Sequence, residues 1–397
     1  MASPSSADDV SAAPAVRARL PSMRVACEDW RPKIPPSPED PHAWAASRAD
    51  LIDRVVRTGA DVATANALTG VCPPLTAGEV ESRACCVSIW RRQLGRLLAD
   101  PGIAQRTPEW YSARMSLITA SDVAQALACA KFGNQRQFFQ KKCGLPDEQA
   151  PFDSDLPPLQ WGIKYEPVAQ AVYSASRGAT VHEFGLIRHP TIPHLGASPD
   201  GVTDLGVMLE IKCPWRRRIV DGEIPLQYYH QIQAQLEVCG LGECDYFECE
   251  FDEADARADE FEHRLPFEHG VLVENVDNAT GARTYAYPVP AAGLPIDDLN
   301  TWVAQQLAAA PQARARWWTV RKRSCIRVPF DPAFVANMLP RLSAVWQRVL
   351  EYRADRDRYV REVGVPQPRK ARDVEGDDDE GVPPTAPLTQ FAFVDSE

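Results

Sequence analysis

Leu195–Trp215 reads LGASPDGVTDLGVMLEIKCPW, and the order of acids, turn formers and apolar residues in it decides the fold. Asp200 follows a proline, Glu210 comes ten positions later, and Lys212 follows after one apolar residue. Gly201, Asp204 and Gly206 are turn formers between the first acid and the pair. Val207–Cys213 has the apolar density of a buried strand. Side chains alternate faces on a strand, so Glu210 and Lys212 point one way while Leu209, Ile211 and Cys213 point the other. A hairpin through the turn brings Asp200 to the face of Glu210 and Lys212. Two carboxylates and an ammonium in one cleft suit a divalent metal and a phosphate ester.

Upstream, Pro157–Arg177 (PPLQWGIKYEPVAQAVYSASR) has helical periodicity, with Trp161, Tyr165, Val168 and Val172 as its apolar row. Glu166 falls on the neighbouring row with the small residues Gly162 and Ala169. Pro167 inside a helix costs about 3 kcal/mol, which predicts a kink or break at Glu166. Earlier still, RTPEWYSARMSLITASDVAQALACAKFGN places Ser121 as a helix N-cap with Asp122 in the first turn. A helix start offers free N–H groups to a phosphate, and Arg114, seven residues before Ser121, adds a guanidinium. A surface arginine and an ordinary cap explain the same letters. Ala179–Pro190 and His194–Val202 read as two strands.

Downstream, Pro225–Cys239 is helical, with Tyr229, Ile232 and Leu236 as its buried row and Gln227, Gln231 and Gln235 at four-residue steps beside it. A strand at Tyr246–Phe251 follows. HGVLVENVDNATGARTYAYPV predicts a hairpin turning at Asn278–Gly281. Helices are expected near Ile296–Ala309 and Asp331–Glu351. Between them RARWWTVRKRSCIRV sets Arg and Lys beside Trp317 and Trp318, either as a DNA-groove lining or as a helix with snorkelling side chains.

The net charge of −11 excludes no nucleic-acid enzyme, because carboxylates serve a metal site and DNA needs only a local basic lining. At 397 residues, with 45% hydrophobic and 24% charged, the chain has material for two or three domains. The eleven cysteines show no paired CxxC knuckles and read as free thiols in a reducing compartment, a zinc site at Cys239, Cys244 and Cys249 being the alternative. The N-terminus lacks a secretory pattern and no apolar run reaches about 18 residues. An intracellular, soluble protein is expected, in the cytoplasm or nucleus, or in a virion if the source is viral.

Taken together, the proline–acid turn, the strand-borne ExK and the helix–strand order resemble the PD-(D/E)XK nuclease superfamily, and within it the lambda-type alkaline exonucleases, or YqaJ-like viral recombinases. RMSLITAS (Arg114–Ser121) is similar to that family's RxGxITAS block, with Ser116 in place of its glycine. WGIKYEP (Trp161–Pro167) is like its GxxxEP helix. GASPDG (Gly196–Gly201) and LEIKCP (Leu209–Pro214) resemble its active-site hairpin, and YYHQIQ (Tyr228–Gln233) its Tyr/Gln helix. These blocks span roughly residues 107–251.

The resemblance implies an α/β (α+β) restriction-endonuclease-like core: a central mixed sheet flanked by helices, with helical N- and C-terminal extensions. Outside the resemblance, composition reads residues 1–40 as a disordered arm and periodicity reads 41–104 as a helical extension, with 105–255 the nuclease core. Residues 256–362 would complete that domain, and 363–397 would form a disordered acidic tail. It further implies a phosphodiesterase using one or two Mg²⁺ or Mn²⁺ ions, held by Asp200, Glu210, the Ile211 carbonyl and Glu166. Lys212 would orient the water or neutralise developing charge, and Gln231 would position the water or the lysine by hydrogen bonding. Arg114, Ser121 and Ser198 would hold a 5′-terminal phosphate, making the enzyme a 5′-to-3′ exonuclease on duplex DNA ends in recombination, replication or repair. A homotrimer and a single-strand annealing protein are the implied partners, with no membrane. A flap or structure-specific endonuclease on the same fold, or a non-catalytic DNA-binding scaffold, are the alternatives.

Overall fold

The computed structural model describes residues 41–71, 73–131, 133–144, 156–254, 261, 264–277, 282–364 and 385–386. The arm expected over 1–40, most of the expected acidic tail and the turn at 278–281 lie outside the described residues. Two compact units emerge, Met1–Ile89 and Trp90–Glu397.

The first unit contains α1 (Pro41–Thr58), α2 (Val62–Thr69) and most of α3 (Ala77–Ala99). Asp61 caps α2 by accepting from Thr64 N–H at 2.8 Å, and Gly70 ends it in the left-handed region. Leu51, Val55, Ala65, Val71 and Leu75 form a small core. Arg48–Glu79 at 2.8 Å and Arg83–Asp53 at 2.5 Å tie α1 to α3 beside it.

The second unit takes in the end of α3, then α4 (Pro108–Met115), β1 (Ile118–Thr119), a 3-10 turn at Ala120–Asp122, α5 (Val123–Ala126), α6 (Gln135–Cys143) and α7 (Pro157–Arg177). Strands β2 (Val181–His182), β3 (Ile187–Arg188), β4 (Leu195–Ala197), β5 (Gly201–Thr203), β6 (Met208–Lys212) and β7 (Ile224–Pro225) follow, then α8 (Leu226–Cys239). The chain continues through β8 (Glu243–Ala254), β9 (His269–Val276), β10 (Arg283–Ala286), α9 (Ile296–Ala309), β11 (Arg314–Pro329), α10 (Pro332–Ala354), α11 (Arg356–Glu362) and β12 (Thr385–Ala386).

A seven-stranded mixed sheet in the order β10-β9-β11-β8-β6-β5-β2 carries the molecule, with β6 parallel to β8 and its other neighbours antiparallel. A small sheet, β1-β4-β3, and the β12–β7 pair lie apart from it in hydrogen bonding. Alternation along β6 and β8 makes two cores. Leu209, Ile211, Phe247, Cys249 and Phe251 pack with Tyr165, Val168 and Val172 of α7. Met208, Cys244 and Tyr246 pack with Ile232 and Leu236 of α8 and with α10. The mixed sheet between helices is the architecture expected from the hairpin sequence.

Four local expectations change. The two strands expected over Ala179–Pro190 and His194–Val202 are four short ones, because each passage crosses between the large sheet and the small one. Gly185 marks one crossing: a Cβ there would lie 2.0 Å from the Ile103 carbonyl oxygen, where the Ile103–Leu186 bridge forms. Pro167 does not break its helix; α7 runs unbroken over it, held on both sides by buried Tyr165, Val168, Ala169 and Val172. Ser121 is not the cap. Thr119 occupies that place, its N–H and hydroxyl donating to Asp122 Oδ2 at 3.1 and 2.6 Å, and the first turn is 3-10. The basic run Arg314–Val328 is a strand. Its Arg321, Lys322, Arg323 and Arg327 each reach a carboxylate, on Glu250 and Asp252, Asp221, Glu268, and Asp245 and Glu243 respectively.

Candidate active site

β5 and β6 form the expected antiparallel hairpin, with Gly201 opposite Leu209 and Val202 opposite Met208. Gly206 closes the turn at φ +79°, where a Cβ would meet Trp90 Cβ at 2.5 Å. Both the backbone conformation and the space therefore require glycine there. Trp90, in α3, is the residue this turn packs on.

The hairpin brings the acids together. The Ile211 N–H donates to Asp200 Oδ2 at 2.7 Å. Glu210 is fully buried, and both its oxygens are engaged. Oε1 accepts from the Lys212 ammonium and from Gln231 Nε2 at 2.7 Å, and Oε2 from Gln235 Nε2 at 2.8 Å. The four-residue step from Gln231 to Gln235 puts both amides on one face of α8. Gln227, the third glutamine of that series, instead accepts from the Lys131 N–H at 2.9 Å. The Tyr228 ring lies 5.0 Å from Lys212 Nζ.

Electrostatics bind the cluster. Burial pushes the Asp200 carboxyl well above the usual carboxylate range, and repulsion from Glu210 and Glu166 adds to it. Burial also raises Glu166, against the pull of Arg106 and Lys212. Burial disfavours the Lys212 ammonium, but Glu210 and Asp200 more than offset it, so Lys212 stays charged. Crowded acids of this kind are where a dication relieves repulsion, and an all-oxygen donor set suits Mg²⁺ or Mn²⁺ with waters retained. Among the described residues no group of three or more His, Cys, Asp or Glu closes into a metal site. The Asp200, Glu210 and Glu166 carboxylates and the Ile211 carbonyl are oxygen donors of the kind a hydrated hard ion takes. Cys239, Cys244 and Cys249 are free thiols, each buried and each pushed up by that burial.

A second cluster forms beside the first. Arg114 Nη2 donates to Ser121 Oγ at 3.1 Å, and its guanidinium lies 4.2 Å from the Trp110 ring centroid. Trp110 Nε1 donates to Ser198 Oγ at 3.1 Å. The three residues expected at a phosphate pocket are thus linked through a tryptophan that the sequence reading did not single out. An aromatic four positions before an arginine on a helix is the signal that finds it. Below the cluster, buried Lys142 donates to the Arg114 carbonyl at 2.7 Å and pairs with Asp122 at 2.8 Å. Lys141 pairs with the same carboxylate at 2.8 Å.

Arg106 also escaped the sequence. It adopts φ +65°, a left-handed conformation rare outside glycine, and its Nη2 lies 3.3 Å from Glu166 Oε2. That conformation costs on the order of 1 kcal/mol. Arg106→Gly is therefore expected to raise the unfolding free energy by about 0.5–1 kcal/mol in urea melts while removing the guanidinium paired with Glu166. A loss of stability in that variant would instead make the ion pair a structural tie.

Residues 109–242, the stretch holding both clusters, match the model of the YqaJ-like viral recombinase domain. A curated relative, the uncharacterized protein R354 of Acanthamoeba polyphaga mimivirus, is 26% identical over 306 residues, covering 65% of this chain and 54% of the relative. The chain thus spans about half the length of that relative. Among solved structures, the alkaline exonuclease LHK-Exo of Laribacter hongkongensis is 24% identical over 65% of this chain and all of its own, with a TM-score of 0.40. A phage-related exonuclease of Haemophilus somnus is 11% identical over 60% of this chain and 96% of its own, with a TM-score of 0.31. Among the described residues no helix is long and apolar enough to cross a membrane.

Proposed function

We propose that this protein is a divalent-metal-dependent deoxyribonuclease that shortens duplex DNA from its 5′ ends. The observation that carries the reading is the spacing of the two clusters along one strand-and-turn. Ser198, in the anion cluster, stands two residues before Asp200, in the acidic one. Two residues of extended chain span about 7 Å at most. A terminal phosphate held at the first cluster therefore sets the next phosphodiester at the second. That geometry counts nucleotides from an end, which a nuclease cutting internally does not need.

In this reading Asp200, Glu210 and the Ile211 carbonyl hold Mg²⁺ or Mn²⁺, with Glu166 at an outer position. When bound, the ion supplies Lewis-acid polarisation of the phosphate and a more acidic water. The protein's own groups do the rest. Lys212 keeps a full positive charge against the phosphate as negative charge develops. Gln231 and Gln235 fix the Glu210 carboxylate so that it does not rotate between steps. Arg114 gives the terminal phosphate a guanidinium whose face is already stacked on Trp110, so little ordering is left to do on binding. Water attack that breaks the P–O3′ bond releases a nucleotide with a free 3′-hydroxyl. The new end keeps its 5′-phosphate, the ligand of the Arg114 cluster, so each cut prepares the next. A homotrimer and a single-strand annealing partner belong to the same reading.

The test is digestion of linear duplex with one 5′-phosphorylated and one 5′-hydroxyl end, with Mg²⁺ or with EDTA. Mononucleotides are expected from the phosphorylated end alone, and only with metal. Arg114→Ala is expected to lower the preference for that end by about 10- to 100-fold, the worth of a charge-assisted hydrogen bond. Opening of supercoiled plasmid, with no preference between ends, would make the protein an endonuclease.

A further inference from the structure

Past Lys212 the chain leaves the sheet through CPWRRRIVDGE (Cys213–Glu223) before it returns at β7. Along this segment the side chains alternate in role. Arg217 is ion-paired with Glu248, and the Ile219 N–H donates to Glu250 Oε1 at 2.5 Å. Lys322 of β11 donates to the Ile219 carbonyl at 3.1 Å and to Asp221 at 2.8 Å. These positions fasten the segment to β8 and β11. Arg216, Arg218 and Val220, in between, are exposed.

The distribution of charge is uneven in an informative way. On β11, Arg321, Lys322, Arg323 and Arg327 are each neutralised by a carboxylate. Among the described residues neither Arg216 nor Arg218 has an ion-pair partner. The Arg216 guanidinium lies over the half-exposed Trp215 ring, 4.1 Å from its centroid. The segment also adjoins the acidic cluster. It begins at the residue after Lys212, and Tyr228, whose ring faces Lys212, is an electrostatic neighbour of Arg217.

We propose that Trp215–Arg218 is a rail for single-stranded DNA, taking one strand as it leaves the Lys212 end of the site. This rests on the nuclease reading above and assigns it a strand path. Two residues apart, Arg216 and Arg218 have backbones no more than about 7 Å from each other, an interval suited to consecutive phosphates of a stretched strand. The stacked Trp215–Arg216 pair adds a flat surface that serves an unstacked base and offers nothing to a base still paired inside a duplex. The anchored alternate positions hold the rail in place without ordering on binding.

The experiment measures binding of the full chain to a fluorescent oligo-dT and to a blunt duplex, in EDTA, across a salt series. Arg216→Gln/Arg218→Gln is expected to bind oligo-dT at least about tenfold more weakly. Its log affinity against log salt should flatten by about 1.4, two contacts at about 0.7 each. Duplex binding should change less than about twofold. Trp215→Ala is expected to lose about fivefold or more on oligo-dT with no change of salt slope. Melting curves matching wild type are expected for Arg216→Gln/Arg218→Gln, since both side chains are exposed and neither is ion-paired among the described residues. Wild-type oligo-dT affinity and slope in the variants, or an equal loss on duplex, would overturn the rail. If the wild-type chain digests linear duplex yet the variants bind as it does, only this inference falls. If wild type neither binds nor digests DNA, the nuclease reading falls and takes the rail with it.

Discussion

Lys212→Met is expected to lower metal-supported DNA cleavage by about a thousandfold or more, and to destabilise the fold. The two effects have one origin. Glu210 is fully buried, and Lys212 is the cation bonded to it. Without the ammonium, developing charge on the phosphate loses a fixed partner in a site screened from water, an effect worth about 10²–10³ in rate for one donor and more when that donor is charged. Glu210 is then left with only the Gln231 and Gln235 amides, and removing one partner of a buried pair costs about 3–5 kcal/mol. The 23% exposure of the Lys212 side chain argues for the lower end. Glu210→Gln/Lys212→Met removes both charges and is expected to regain most of that stability while staying inactive. Urea melts and a digestion assay on the three proteins check this. A single variant with activity within tenfold of wild type would remove Lys212 from the chemistry.

Asp122→Asn is expected to destabilise the protein by about 3–5 kcal/mol, although the residue touches neither acid of the hairpin. Asp122 is 2% exposed and faces the wholly buried ammonium of Lys142 as well as Lys141. Burial works against its carboxylate, but Lys141, Lys142 and Arg114 overcome it and hold its pKa well below the usual range. For a carboxyl lowered on folding, the stabilisation is complete above the unfolded value, about 4, and is lost as the pH falls below it. The acid limb of wild-type stability should therefore flatten in Asp122→Asn. Burial lowers Lys142 from 10.5 to about 8, with Asp122 opposing. Between about pH 8 and 10.5 the unfolded chain binds more protons there, so stability gained from this lysine rises with pH. Without Asp122 that window opens at lower pH, and the deficit of the variant should narrow between pH 7 and 9. A deficit constant over that range would assign the loss to packing. Because Lys142 also holds the Arg114 carbonyl, the same variant should weaken the preference for 5′-phosphorylated ends.

The hairpin was legible because its signal is local. Period-two alternation, a glycine turn and an acid pair leave one folding, and Glu210 and Lys212 face α8 as that alternation requires. The Gln231–Gln235 step was equally visible, since helix spacing alone aligns the two amides. Other features depended on distant chain. The strands around Gly185 and Pro199 break because two sheets share one passage, which no local propensity encodes. Thr119 displaces Ser121 as the cap because Asp122 accepts from the backbone and hydroxyl of Thr119, while the Ser121 hydroxyl meets Arg114 instead. Arg106 breaks the glycine preference of its backbone region, and only the neighbouring Glu166 suggests why. The basic run of β11 read equally as a DNA-groove lining or a snorkelling helix, because the carboxylates that pair with it lie on β8 and in other segments some 55–100 positions away.

That pairing bears on how the sheet assembles. Arg327 stands opposite Asp245 in the β11–β8 register, bonded to it at 2.5 and 3.1 Å, and Tyr173 of α7 donates to the same carboxylate at 2.6 Å. The smallest slip that keeps each strand's faces is two residues. It would set Asp245 against Cys325 or Pro329 and take the Arg327 guanidinium away from a buried carboxylate. Apolar residues alone would tolerate such a shift, since Phe247 and Phe251 would still be buried. The charge ladder thus acts as an error check on strand pairing, expelling near-miss arrangements that the hydrophobic core would accept.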